Sequence, residues 1–159
     1  MKEYRHVARS TALQFIYQYE IKNQDTLELS EHLEDRQLQL QRISKDLSDH
    51  FAHFGVRDEV RGFASSLVVG IITKIAIIDQ YLEKHAHHWR LSRMSRIDRT
   101  ILRLGAFELL FVPDVPAHVA LNEAIELAKS FGTEESAPFV NAILDHVYRD
   151  HSLTPKATD

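Results

Sequence analysis

The chain has no proline before Pro113 and no glycine before Gly55. Strands and hairpins need turn residues every eight to twelve positions or so, and the first 112 residues do not supply them. An all-α fold follows, of about six to seven helices. The periodicity divides them into two small bundles, residues 1–88 and 89–150, joined as one compact unit, with a polar, disordered tail at 151–159.

The first helix is predicted at about residues 5–23, with Ala8, Ala12, Phe15, Ile16 and Tyr19 on one face; the two alanines let another helix approach closely. A second helix over about 27–53 carries an apolar seam of Leu29, Leu33, Leu40, Ile43, Leu47, Phe51 and Phe54. Its other face sets seven carboxylates from Asp25 to Asp49 against Arg36, Arg42 and Lys45. That segment alone accounts for the chain's net charge of −4, so the acidity does not argue against nucleic acid. A third helix over about 57–85 has Val60, Phe63, Leu67, Ile71, Ile75, Ile78 and Leu82 on one side, and is the expected centre of the first bundle. Trp89 and Leu91 then plug the junction between bundles. Five arginines stand at 90, 93, 96, 99 and 103 against the single acid Asp98, the densest basic segment of the chain.

The second half is punctuated by caps. Ser95 stands three residues before Asp98, an S-x-x-D capping box ahead of the stripe Ile97, Ile101, Leu104 and Leu110. Pro113 and Pro116 separate that helix from the next, Pro116 suiting a first-turn position. Ala120, Ala124, Leu127 and Phe131 form the following face, with Gly132 at the helix end. Ser136 can cap a last helix whose buried side is Val140, Ile143, Leu144 and Val147.

Chemistry is sparse. There is no cysteine, hence no disulfide, thiolate nucleophile or cysteine–zinc site, which fits a reducing cytoplasm. No apolar run approaches a membrane span, and the start lacks the apolar core of a signal peptide. No phosphate-cradling glycine loop or nucleophile elbow occurs. His50 with His53, and His85 with His88, are spaced to share a helix face, but no carboxylate or converging segment completes a metal set. The expectation is a binding protein, not an enzyme, with no cofactor and no metal. Two rings fall off the core stripes: Tyr17, and Phe139 at about 80° from the axis of its helix's apolar face. A ring in such a place is either a core-edge aromatic or a base-stacking platform beside cations. Arg5 and Arg9, one turn apart, are by spacing alone a solvated helix edge. Asp98 is accounted for as a capping residue.

The ordered pieces RIDRTILRLGAFELL, VPDVPAHVALNEAIELAKSFG and EESAPFVNAILD resemble the C-terminal half of the NusB family of bacterial transcription antitermination factors. Ala8-Arg9 followed by Ala12-Leu13-Gln14-Phe15-Ile16-Tyr17 is similar to the family's start, although His6 and Val7 stand where arginines are frequent. The resemblance implies RNA binding through Lys2, Arg5, Arg9, Tyr17, Phe139 and Glu135, with the Glu135 carboxylate moderating affinity or selectivity. It also implies partner contacts near Asp98 and Arg99. The implied partners are boxA RNA, the ribosomal protein NusE and the RNA polymerase antitermination complex, during transcription of ribosomal RNA. Self-association, known in some relatives, stays open. Two alternatives are a helical protein-interaction module without RNA binding, and a stand-alone relative of the RNA-binding domain of ribosomal RNA methyltransferases. For the latter the chain has no room for a catalytic domain.

Overall fold

The computed structural model describes residues 2–86 and 90–151, with side chains from residue 4 onward. His87, His88, Trp89, the tail at 152–159 and the Lys2 side chain lie outside the described residues. Among those described there are seven α-helices and no strand: α1 Lys2–Lys22, α2 Leu33–His53, α3 Asp58–Thr73, α4 Ile75–Ala86, α5 Arg96–Phe111, α6 Ala117–Phe131 and α7 Ser136–His151, with a short 3-10 turn at Leu91–Arg93. The chain divides into two compact units, Met1–Ile75 and Ala76–Asp159.

That division falls well before the predicted boundary at 88/89, because the predicted third helix is two helices. The segment from Val68 to Thr73 is five β-branched residues around Gly70, all weak helix formers. The Thr73 hydroxyl donates to the carbonyls of Val69 (2.8 Å) and Gly70 (3.1 Å). Lys74 then closes α3 at ψ 14°, its N–H on the Gly70 carbonyl. An apolar stripe that continues through the break concealed it.

In the first unit, α1 packs along α3. Ala8, Ala12 and Ile16 are fully buried on α1, as are Ala64, Leu67 and Ile71 on α3. The second helix begins six residues later than predicted. Gln24 and Asp25 adopt φ of 58° and 63° to close α1. The Thr26 hydroxyl then accepts the Glu28 N–H, the Ser30 hydroxyl accepts the His32 N–H, and the Gln39 side chain accepts the Ser30 N–H at 2.7 Å. These local bonds give the backbone an alternative to the helix. The seam is correspondingly shorter: Ile43, Leu47 and Phe51 are buried, whereas Leu33 is 68% exposed. Gly55, at φ 61°, turns the chain into α3.

In the second unit, α5 is the core helix, with every residue from Thr100 to Leu110 buried. It packs on both α6 and α7, which also pack on each other. Gly105 permits the crossing: a Cβ there would lie 2.5 Å from Leu144 Cδ1 and 3.3 Å from Ala124 Cβ. Pro116 is the N-cap of α6, one position before the first-turn place predicted, its carbonyl accepting the N–H groups of Val119 and Ala120. Gly132 ends α6 in an extended conformation (φ −97°), so it is not the left-handed cap residue expected. A side chain there would instead collide with Ser136 and approach the Ala128 carbonyl to 2.8 Å. Of the predicted inner faces, Ala120, Ala124 and Leu127, and Val140, Ile143, Leu144 and Val147, are buried, whereas Phe131, in the last turn of α6, is exposed.

Candidate nucleic-acid interface

The basic leader belongs to the first turns of α1. Arg5 holds its guanidinium 4.6 Å from the centre of the Phe63 ring of α3, and Arg9 lies 5.4 Å from the same ring. Two cations share one aromatic ring, an electrostatic attraction that also orients both side chains. Their exposure differs. Arg5 is half-buried, while Arg9 is only 2% exposed and belongs to the interior of the unit. The spacing that made both of them a helix edge thus separates them: Arg5 keeps a surface and Arg9 does not. Next to them, the Arg57 guanidinium sits 5.1 Å from the Tyr4 ring. Tyr4, Arg5, Glu59, Gly62, Phe63 and Ser66 line a depression of about 390 Å³. Tyr17 is half-buried, as its displacement from the stripe led one to expect. It lies eight residues beyond Arg9, about 12 Å along the helix and about 80° around it.

Phe63, Tyr4 and Arg57 were not singled out in the sequence. Helical spacing places Phe63 in a core stripe. The available signal was its place at the edge of that stripe, in the helix that the small face of α1 needs as a partner.

In the second unit, the Ser95 hydroxyl accepts the Asp98 N–H at 3.1 Å, so half of the predicted capping box is formed. The Asp98 carboxylate is half-buried, and its Oδ1 has no hydrogen-bond partner among the described residues. Arg99 directs Nη1 to the Leu91 carbonyl at 3.0 Å and ties the first turn of α5 to the 3-10 turn. Arg103 is buried and grips Asp79 of α4 through two bonds, Nε to Oδ1 at 2.9 Å and Nη2 to Oδ2 at 3.0 Å. The segment of five arginines is therefore not five surface cations. Arg90 and Arg93 are exposed, Arg96 and Arg99 are half-buried, and Arg103 is internal.

Phe139 is half-buried in the first turn of α7, and Glu135 is exposed just before the helix. The link is a tight turn. The Glu135 N–H bonds the Thr133 hydroxyl at 3.3 Å, and the Thr133 N–H bonds the Ser136 hydroxyl at 3.0 Å. Ser136 thus closes the turn behind it instead of capping its own helix. The Glu135 carbonyl accepts the Phe139 N–H at 3.2 Å, which sets the carboxylate and the ring one helical turn apart. The candidate residues thus form two sets: Arg5, Arg9 and Tyr17 in the first unit, and Asp98, Arg99, Glu135 and Phe139 in the second.

Among the described residues no group of three histidines or carboxylates is placed to hold a metal. His85 Nε2 and Lys84 Nζ both lie 3.1 Å from Asp150 Oδ2. Those two bonds, Lys84 first, hold the Asp150 carboxyl below its ordinary range. No single described helix is long and apolar enough to cross a membrane.

The sequence pattern of the NusB family matches residues 6–149. The transcription antitermination protein NusB of Myxococcus xanthus is 44% identical over 143 residues, covering 90% of this chain and 93% of the relative. T. maritima NusB superposes with a TM-score of 0.75 at 29% identity, covering 92% of each chain. The NusB of a crystal structure of antitermination factors NusB and NusE in complex with double-stranded RNA has the same fold, with a TM-score of 0.75 at 23% identity, covering 94% of this chain and 99% of that one. Matched nearly end to end by the family pattern and by a relative 44% identical, the chain belongs to the NusB family.

Proposed function

We propose that this chain is a cytoplasmic transcription antitermination factor that binds boxA RNA together with NusE and joins the RNA polymerase antitermination complex. The observation that carries the reading is the 44% identity, over nearly the full length of both chains, to a protein named for transcription antitermination. A solved relative of the same fold is bound to NusE and double-stranded RNA. No catalytic step is assigned to any residue.

At the level of residues, Arg5 supplies a phosphate contact from a guanidinium already oriented by Phe63, with Lys2 ahead of it. Tyr17 and Phe139 offer faces for unpaired bases. Glu135, one turn from Phe139, repels phosphate and restricts which nucleotides can approach that ring. Arg9 supports this surface from beneath, through Phe63. Asp98 and Arg99 mark the protein-partner side, where Arg99 also holds the 3-10 turn in place. Gel-shift titration with boxA RNA and with a boxA sequence scrambled at constant composition tests the reading. Preferential retardation of boxA is expected; equal retardation, or none, would leave a helical protein-interaction module.

A further inference from the structure

A groove of about 580 Å³ between α1 and the C-terminal half of α2 lies apart from these residues. Its walls are aromatic. Phe15 and Tyr19 stack at 5.8 Å, the His50 ring stands edge-on to Phe15 at 5.6 Å, and Phe54 lies 4.6 Å from His50. Phe54 is 55% exposed although it is one of the larger apolar side chains of the unit. His50 is only 8% exposed, and its Nε2 has no hydrogen-bond partner among the described residues. Burial, then the charges of His53 and Lys22, holds its pKa below that of an ordinary imidazole and so favours the neutral ring.

The rim is acidic on the α2 side. Asp46 and Asp49 stand one turn apart, both exposed, and neither has an ion pair or hydrogen bond among the described residues. The field of Asp46 reaches Tyr19, whose phenol is raised by burial and by that carboxylate against the opposing charge of Arg42. Lys22 lines the α1 side.

Aromatic faces attract cations, and a pair of carboxylates suits the planar fork of a guanidinium better than a point charge. A nucleic-acid strand is poorly matched, because its phosphates would meet two carboxylates and one lysine. We propose that this groove docks a single arginine side chain of a protein partner, stacked against Tyr19 and Phe54 and paired with Asp46 and Asp49. Lys22 repels a second positive charge, so the recognised feature is one arginine in an otherwise neutral or acidic segment, not a polybasic stretch. The inference does not depend on the RNA-binding reading.

The test is a titration of the isotope-labelled full chain with N-acetyl-arginine-N-methylamide, followed by NMR, with the lysine and citrulline analogues as controls. Saturable shifts confined to Tyr19, Asp46, Asp49, His50 and Phe54 are expected, larger for arginine than for lysine and absent for citrulline. The double variant Asp46→Asn/Asp49→Asn should weaken binding at least about tenfold, since each lost partner is a charge-assisted bond. Both residues are exposed, so its melting temperature should match that of the unaltered chain. A response spread over acidic surfaces, one equal for citrulline, one retained in the double variant, or no saturable response would each overturn the assignment. So would a single-stranded oligonucleotide that shifts the groove residues and is not displaced by the arginine analogue.

Discussion

Arg5 and Arg9 point at one ring, yet truncating them should have opposite consequences. Arg9 is 2% exposed and its guanidinium lies 5.4 Å from the Phe63 centroid. A desolvated cation–π contact is worth about 2 kcal/mol, and each buried methylene of the arginine stem about 0.8 kcal/mol. Arg9→Ala should therefore cost about 3 kcal/mol or more of folding stability. For a chain of this size that corresponds to roughly 6–12 °C in melting temperature. Arg5 is half-buried and closer to the ring, at 4.6 Å, but remains bathed in solvent on one side. Arg5→Ala should cost no more than about 1 kcal/mol of stability. Its effect should appear in RNA binding, where a single-strand phosphate contact contributes about 0.7 to the slope of log affinity against log salt. Thermal melts of both variants, with fluorescence anisotropy of labelled boxA RNA across a salt series, separate the roles. An Arg9→Ala protein with an unchanged melting temperature and a slope flattened by about 0.7 would refute the division, making Arg9 the phosphate contact.

Phe139→Ala should weaken RNA binding by about 1–3 kcal/mol at every salt concentration and leave the slope unchanged. Its stability loss should stay below the about 3–5 kcal/mol of a fully buried phenylalanine; a loss of that size with affinity intact in the folded fraction would remove it from the interface. Gly105→Ala gains about 1 kcal/mol of helix propensity but forces a methyl group to 2.5 Å from Leu144 Cδ1, itself fully buried. Overpacking of about 1–3 kcal/mol should win, and urea unfolding that showed the variant more stable would contradict the close crossing. His50 has its folded-state pKa depressed, so its neutral form contributes stability present above pH 6.5 that is lost as pH falls through the lower, folded value. Stability profiles of the unaltered chain and His50→Phe should diverge as the pH drops below that range, and parallel profiles would show that His50 carries no such linkage.

Much of this architecture is legible in the chain because helices announce themselves by apolar spacing, and the spacing of Val140, Ile143, Leu144 and Val147 admits only one buried side. What periodicity cannot report is a break that leaves the stripe intact, as at Lys74, where a threonine hydroxyl and a β-branched run end the helix. The late start of α2 has the same origin, in hydroxyl-to-backbone bonds of Thr26 and Ser30 that local sequence only hints at. Charges are harder still. A helical wheel gives Arg103 no reason to be buried until Asp79 of the preceding helix is seen to receive it, and it treats Arg5 and Arg9 alike although Phe63 separates their exposures. The helical wheel picks out Phe139 as an off-stripe ring but leaves it between a core edge and a stacking platform; only the family resemblance decides for the platform and adds Glu135. Their separation by one helical turn is set by the Phe139 N–H on the Glu135 carbonyl, just after the turn that the Thr133–Ser136 hydrogen bond closes.

The central claim is that RNA and NusE engage this chain as one coupled assembly. Calorimetry of boxA RNA binding, with and without saturating NusE, measures that coupling directly. Tightening by about 1–3 kcal/mol, matched by an equal gain in NusE affinity when RNA is saturating, is the predicted result. RNA affinity that is the same in both titrations, or no RNA binding in either, would contradict it.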